Sequence, residues 1–173
     1  AVLADTNNQI NACVKHAPKV HFVGHSLGGL VIRAYLQNNL LKNPQQRQDY
    51  NLGEVVLIGT PNKGSELADH LSDSWLMNLG GEISQALVTG SSSLGNNIEE
   101  LNINLGIIAG TKSSSLTSKH FKGANDGLVS VESTKLKSMS DFITLEVGHS
   151  QMRYSQEVAE QTIYFLQKGI FKH

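Results

Sequence analysis

A chain of 173 residues with 39% hydrophobic and 17% charged side chains can bury one core, and its mixed composition excludes disorder and a coiled coil. A formal net charge of −1 with no basic block excludes the footprint of a nucleic-acid or anionic-lipid binder, and apolar runs of only a few residues exclude a spanning helix. Cys13 is the one cysteine, which excludes an intrachain disulfide and argues against a cysteine-ligated zinc.

Val2, Leu3, Thr6, Ile10, Cys13, Val14 and Ala17 recur at helical spacing and predict a first helix ending near Pro18. No Met and no N-cap residue precede Ala1–Val2, so Ala1 reads as a cut end. Lys19–Gly24 follows as a short buried strand. From Leu27 a helix runs on Leu30, Val31, Ala34 and Tyr35 and fades at Asn38–Asn39, before a polar loop from Pro44 to Asn51. Glu54–Gly59, Asn104–Thr111 and Phe142–Val147 are three more apolar strands. A last helix is expected from about Gln151 to Lys168, capped by Ser150, anchored by Val158, Ile163, Phe165 and Leu166, and stopped by Gly169. Strands that are apolar throughout and separated by helices predict one α/β domain over 1–173, with a mostly parallel sheet covered on both faces.

The 40 residues from Ser65 to Asn104 are long for a simple crossover. Leu67, Leu71, Trp75, Leu76 and Leu79 form one apolar helical stripe. Part of the segment must be a crossover helix on the sheet. Its length, apolar content and glycines also fit a hinged lid over 65–104. Leu71, Trp75, Leu76 and Met77 are then either the lid's apolar face, lining a substrate pocket, or plain core.

The chemistry is carried by VHFVGHSLGGL, residues 20–30, where G-x-S-x-G sits between an apolar strand and a helix. A serine hydroxyl is a weak nucleophile until a base takes its proton, and it must stand clear of the sheet to meet a carbonyl carbon. A sharp strand-to-helix turn does this, with Gly24 and Gly28 expected to remove clashing side chains at −2 and +2. Ser26 is the candidate nucleophile, and the helix behind it favours developing negative charge.

Seven histidines compete as its base. His149 directly follows the fourth strand, at the edge of the sheet where Ser26 sits. His16 and His21 precede the nucleophile, and His25 beside it should point away from the hydroxyl. His70 falls on the lid, His173 is terminal and expected to fray, and His120 is the serious rival. Asp126, in GANDGLVS, lies between the third strand and His149, in the order Ser, acid, His that this architecture uses, and the turn made by Asn125 and Gly127 would present its carboxylate. Asp141 opens the fourth strand at the wrong end, Asp69 and Asp73 fall on the lid helix, and Asp5 and Asp49 lie away from the strand ends.

VHFVGHSLGGLV, VVLIGTPNKGSELAD, NDGLVSVES and VGHS together resemble the α/β-hydrolase superfamily, in particular bacterial triacylglycerol lipases and the GPI-inositol-deacylase-like hydrolases. Gly59–Ser65 matches their G-T-P-x-x-G-S element, with Asn62 where a histidine is common. The likeness runs nearly the whole chain. It implies hydrolysis of a small-molecule carboxylic ester or lipid through a serine acyl-enzyme, a lid after the second strand, and an acyl pocket lined partly by that lid. It also implies that the Leu27 N–H is one oxyanion-hole donor. The other donor comes from an earlier loop that has no counterpart here, and lacking one donor costs about 10²–10³ in turnover. The chain therefore resembles either the C-terminal portion of a longer hydrolase of this kind or one chain of a cleaved one. The strand at 19–24 becomes an apolar edge, which invites pairing with a second copy or an upstream segment. No cofactor is implied, and no carboxylate pair near Val147–Gln151 offers a structural calcium site, so no metal is expected.

The same triad serves a thioesterase or an amidase. A non-catalytic interaction module on a hydrolase scaffold is the alternative from another class: the incomplete oxyanion hole favours it, and the intact Ser/Asp/His set opposes it.

Overall fold

Each of the four apolar stretches forms a strand in the computed structural model of the chain, which describes residues 2–14, 17–42, 51–65, 94–113 and 118–173. The strands are β1 (Lys19–His25), β2 (Asn51–Ile58), β3 (Leu105–Gly110) and β4 (Asp141–Leu145). They lie side by side in the order β1-β2-β3-β4, and every pairing is parallel. Parallel neighbours need crossovers, which here include α2 (Leu27–Gln37) between β1 and β2 and the short α3 (Val131–Thr134) between β3 and β4. α1 (Val2–Val14) precedes the sheet and α4 (Gln156–Lys168) follows it.

Successive strand residues point to opposite faces, and the core divides accordingly. Val55 and Leu57 of β2, with Leu105 and Ile107 of β3, meet Ile32, Tyr35 and Leu36 of α2 on one face. Val56, Ile58 and Ile108 point the other way, into a second cluster with Ile143, Leu145, Val158 and Phe165. Burial on both faces is why Val55–Ile58 and Leu105–Gly110 carry no polar side chain. β1 stands at the edge of the sheet. Phe22 and Gly24 are buried, while Lys19, His21 and Val23 on its other face are exposed, Val23 to 46%.

Phe165 of α4 is fully buried, its ring centroid 4.7 Å from that of Phe171 and packed over Gly106, where an added Cβ would come within 2.6 Å of the ring. Phe165→Ala leaves a cavity that this close packing cannot collapse into. The expected loss is about 3–5 kcal/mol, read as a lowered urea midpoint at unchanged slope.

The last helix begins later than its periodicity suggests. His149–Tyr154 form a 3-10 turn, and α4 takes Ser155 as its N-cap rather than Ser150, the Ser155 Oγ accepting the Val158 N–H at 3.3 Å. Residues i and i+3 of a 3-10 turn share a side, so His149 and Met152 are both buried. α4 ends as expected at Gly169, with φ of 74°. His173 is not frayed: its ring lies 2.9 Å from Asp141, whose other oxygen accepts the Phe171 N–H at 2.7 Å.

Of the segment 65–104, residues 66–93 lie outside the described residues, and with them Leu71, Trp75, Leu76 and Met77. From Leu94 the chain packs on the core through a 3-10 turn at Gly95–Asn97 and the buried Ile98 and Leu101.

Candidate active site

β1 gives way to α2 at a single residue, Ser26. Its φ of 55° and ψ of −127° make it the one non-glycine residue with positive φ among the described residues. Neighbouring bonds hold it there: its N–H extends the sheet ladder to the Ile58 carbonyl at 2.8 Å, and its carbonyl accepts the Gly29 N–H at 3.0 Å. Serine commonly caps helices, but the Ser26 side chain makes no cap bond. Its Oγ lies 2.8 Å from His149 Nε2.

The glycines share the work differently from the expected −2/+2 scheme. A Cβ on Gly24 would come within 2.7 Å of the Gly29 nitrogen, so Gly24 is required by the close passage of β1 under α2. A Cβ on Gly28 would meet nothing within 4 Å. The tight position is Gly29, where a Cβ would collide with the Thr60 side chain. Helix geometry is the reason: the residue three after Ser26 turns toward the loop behind β2, whereas Gly28 is exposed.

His149 sits just beyond β4. Its Nδ1 lies 2.8 Å from Asp126 Oδ2, and its backbone N–H donates to the Asp126 carbonyl at 2.9 Å. A carboxylate only accepts, so Nδ1 carries the hydrogen and the bare Nε2 faces the Ser26 hydroxyl. Asp126 Oδ1 accepts the Leu128 and Val129 N–H groups at 2.9 and 2.8 Å, so both oxygens are spoken for. The turn expected from Asn125 and Gly127 is present: Asn125 Oδ1 accepts the Gly127 N–H at 3.0 Å, and Gly127 has φ of 98°. Asp126 and His149 are 3% and 7% exposed. Two rivals are engaged elsewhere. Asp141 serves Phe171 and His173, and His21 pairs with Glu54 at 2.8 Å. His16 and His70 lie outside the described residues.

Gly59, immediately after β2, closes the site from below. At φ of 56° it is strained for any side chain, and a Cβ there would sit 3.2 Å from Asp126 Oδ2 and 3.4 Å from His149 Nδ1. Beyond it the G-T-P-N-K-G-S loop is tied to α3, which follows Asp126. Buried Asn62 donates to the Thr134 carbonyl at 2.7 Å, the Lys63 N–H to the Ser133 carbonyl at 3.0 Å, and the Ser133 hydroxyl to the Gly64 carbonyl. Arg33 of α2 supplies the third side. Its guanidinium donates to Asn62 Oδ1 at 3.0 Å, to the Gly95 carbonyl at 3.2 Å and to the Ile98 carbonyl at 2.9 Å. Burial pushes this guanidinium down to about 10, with Glu100 opposing. Arg33→Met keeps the stem but strands three acceptors. The expected cost is about 1–3 kcal/mol, measured by chemical denaturation.

His25 was missed by sequence reasoning as part of the site. Its Nε2 lies 3.0 Å from the His149 carbonyl, and the two rings pack at 4.8 Å between centroids, tilted by 43°. β-strand alternation puts His25 on the face of Val23 and His21; that the loop after β4 lies over that end of β1 is seen only in the fold. A cleft of about 450 Å³ opens beside Asp126 and His149, lined also by Lys112, Ser113, Leu128, Ser150 and Gln151.

No helix among the described residues is long and apolar enough to cross a membrane. In sequence, residues 4–123 match the family model described as a domain of unknown function, DUF7379; the match takes in the Ser26 elbow and stops short of Asp126 and His149. No curated protein matches the chain in sequence. Among solved structures it is similar to the mature lipase BlEst2 of Bacillus licheniformis, with a TM-score of 0.65 and 21% identity, over 98% of this chain and 72% of that one. It spans 40% of the same lipase in its propeptide form. It is also similar to the metagenomic carboxyl esterase MGS0156, with a TM-score of 0.57 and 16% identity over 85% of this chain and 51% of that one. For the lipase of Staphylococcus hyicus the TM-score is 0.54 and the identity 14%, over 81% and 64%. At these identities the likeness speaks for the fold: the chain belongs to the DUF7379 family and carries a lipase-like α/β-hydrolase fold.

Proposed function

We propose that this domain is a serine hydrolase that cleaves carboxylic esters through an acyl-enzyme, with Ser26 as nucleophile, His149 as general base and acid, and Asp126 as the group that orients it. The observation that carries the reading is the unbroken line from Ser26 Oγ through His149 to Asp126, with both links at 2.8 Å. In the acylation step Oγ bonds to the ester carbonyl carbon while its proton passes to Nε2. The imidazolium so formed is stabilised through Nδ1 by Asp126. The oxyanion takes the Leu27 N–H, one of the first in α2 and without an intrahelical partner. Nε2 then gives its proton to the leaving alcohol, and a water deprotonated by the same nitrogen releases the acid. For the acyl chain we propose Leu71, Trp75, Leu76 and Met77, on the sequence pattern alone.

The reading is tested with a fluorophosphonate probe, which needs an activated serine but no particular substrate. Wild type is expected to be labelled at Ser26 and the Ser26→Ala variant not at all. Labelling that persists in the variant, or none in wild type, overturns the assignment. A panel of p-nitrophenyl esters, acyl thioesters and anilides then separates an esterase from a thioesterase or amidase with the same three residues.

A further inference from the structure

The residue beside the nucleophile is bonded to the backbone of the base. We propose that His25 is a positioning residue, whose imidazole holds the His149 backbone and ring in register with Ser26. The inference deepens the reading of Ser26 and His149 as a reacting pair, and rests on it.

A carbonyl oxygen only accepts, so His25 Nε2 carries the hydrogen in the 3.0 Å bond to the His149 carbonyl. The His149 N–H is already taken by the Asp126 carbonyl at 2.9 Å. His149 is thus gripped on both sides of its Cα, by the acid's loop through its N–H and by β1 through its C=O. These grips differ in what they fix. The Asp126 contacts set the base relative to the acid. The His25 contact sets it relative to the nucleophile, because His25 and Ser26 are consecutive and share the rigid end of β1. His25 also packs on the imidazole itself, 4.8 Å between centroids, which opposes rotation of the ring away from Ser26.

The groups facing His25 suit an uncharged donor. Burial, then the neighbouring His149, hold its imidazole below the ordinary histidine range; the bond to the His149 carbonyl and Asp126 pull upward, and Arg153 pushes further down. The same causes disfavour a second cation on His25 beside the charge formed on His149 in acylation. As pH falls through the ordinary histidine range the unfolded chain takes up a proton that folded His25 does not, so this site loses stability until the folded imidazole protonates in turn.

The test compares the full chain with His25→Phe, which keeps a ring but no donor, and His25→Gln, whose amide nitrogen reaches about as far as Nε2. Two readouts are used: kcat and KM on a small p-nitrophenyl ester, and the NMR signal of the His149 Nδ1 proton, which needs no turnover. In His25→Phe, kcat is expected to fall roughly 10- to 100-fold with KM little changed, because ground-state binding is untouched while the near-attack geometry is lost. The Nδ1 proton should broaden or shift. His25→Gln should recover most of both. If His25→Phe does not fold, His25→Gln and His25→Ala take its place, with the amide expected to outperform the methyl in both readouts. Wild-type kcat and an unchanged proton signal in the variant lacking the donor overturn the inference. An inactive wild type overturns the esterase reading instead, and the proton signal then decides the role of His25.

Discussion

Ser26→Ala is expected to lower ester turnover by about 10⁴- to 10⁶-fold while leaving stability within about 0.5 kcal/mol of wild type. Serine at a helix start usually contributes a cap worth about 1 kcal/mol, but the Ser26 hydroxyl makes no such bond here. Alanine keeps the Cβ and inherits the same backbone geometry. The variant therefore subtracts Oγ and little else, and the loss in rate reports chemistry rather than folding. Groups acting as a unit are far from additive, so Ser26→Ala/His149→Ala should be scarcely slower than either single change. The check is kcat/KM on p-nitrophenyl esters alongside a thermal melt. A variant keeping a tenth of wild-type turnover would remove Ser26 from the reaction.

Asp126→Asn should cost about 10⁴ in kcat, and the hydrogen-bond pattern says why. Asp126 Oδ1 faces two donors, the Leu128 and Val129 N–H groups, and Oδ2 faces one, His149 Nδ1. An asparagine has one oxygen. Turned toward the two backbone donors, which is the better bargain by one bond, it presents its NH₂ to Nδ1. The imidazole must then carry its hydrogen on Nε2, facing Ser26, and a nitrogen so protonated cannot accept the hydroxyl proton. The variant should stay folded, with its residual rate rising toward alkaline pH as the serine deprotonates without help. Stopped assays across pH, with fluorophosphonate labelling, check both points. An unimpaired Asp126→Asn would mean that another group orients the base.

The fold was legible where burial is two-sided. Val55–Ile58 of β2 and Leu105–Gly110 of β3 lie between two helical layers, so these positions carry no charge and the runs announce themselves. The candidate site was legible because chain order and turn residues point to its three members: Ser26 by its glycines at the end of β1, Asp126 by the Asn125–Gly127 turn, His149 by following β4. What escaped depends on partners distant in sequence. His25 looked like a bystander, since nothing local says that a carbonyl 124 residues later lies in reach. The motif's spacing points to Gly28, and only the Thr60 side chain shows that Gly29 is the tight position. Asn62 replaces a histidine common in the resembling lipases, and its link between Arg33 and Thr134 needs both loops in place to be seen.

The twisted backbone at position 26 sets a conflict between durability and chemistry. A side chain held at φ of 55° is disfavoured by about 1–3 kcal/mol, a penalty that glycine would escape. Ser26→Gly is therefore expected to give a hardier molecule that, on the proposed reading, has lost its nucleophile. The packing of β1 against α2 bears that local handicap, and the Ser26 oxygen is held toward His149 rather than toward the helix it precedes.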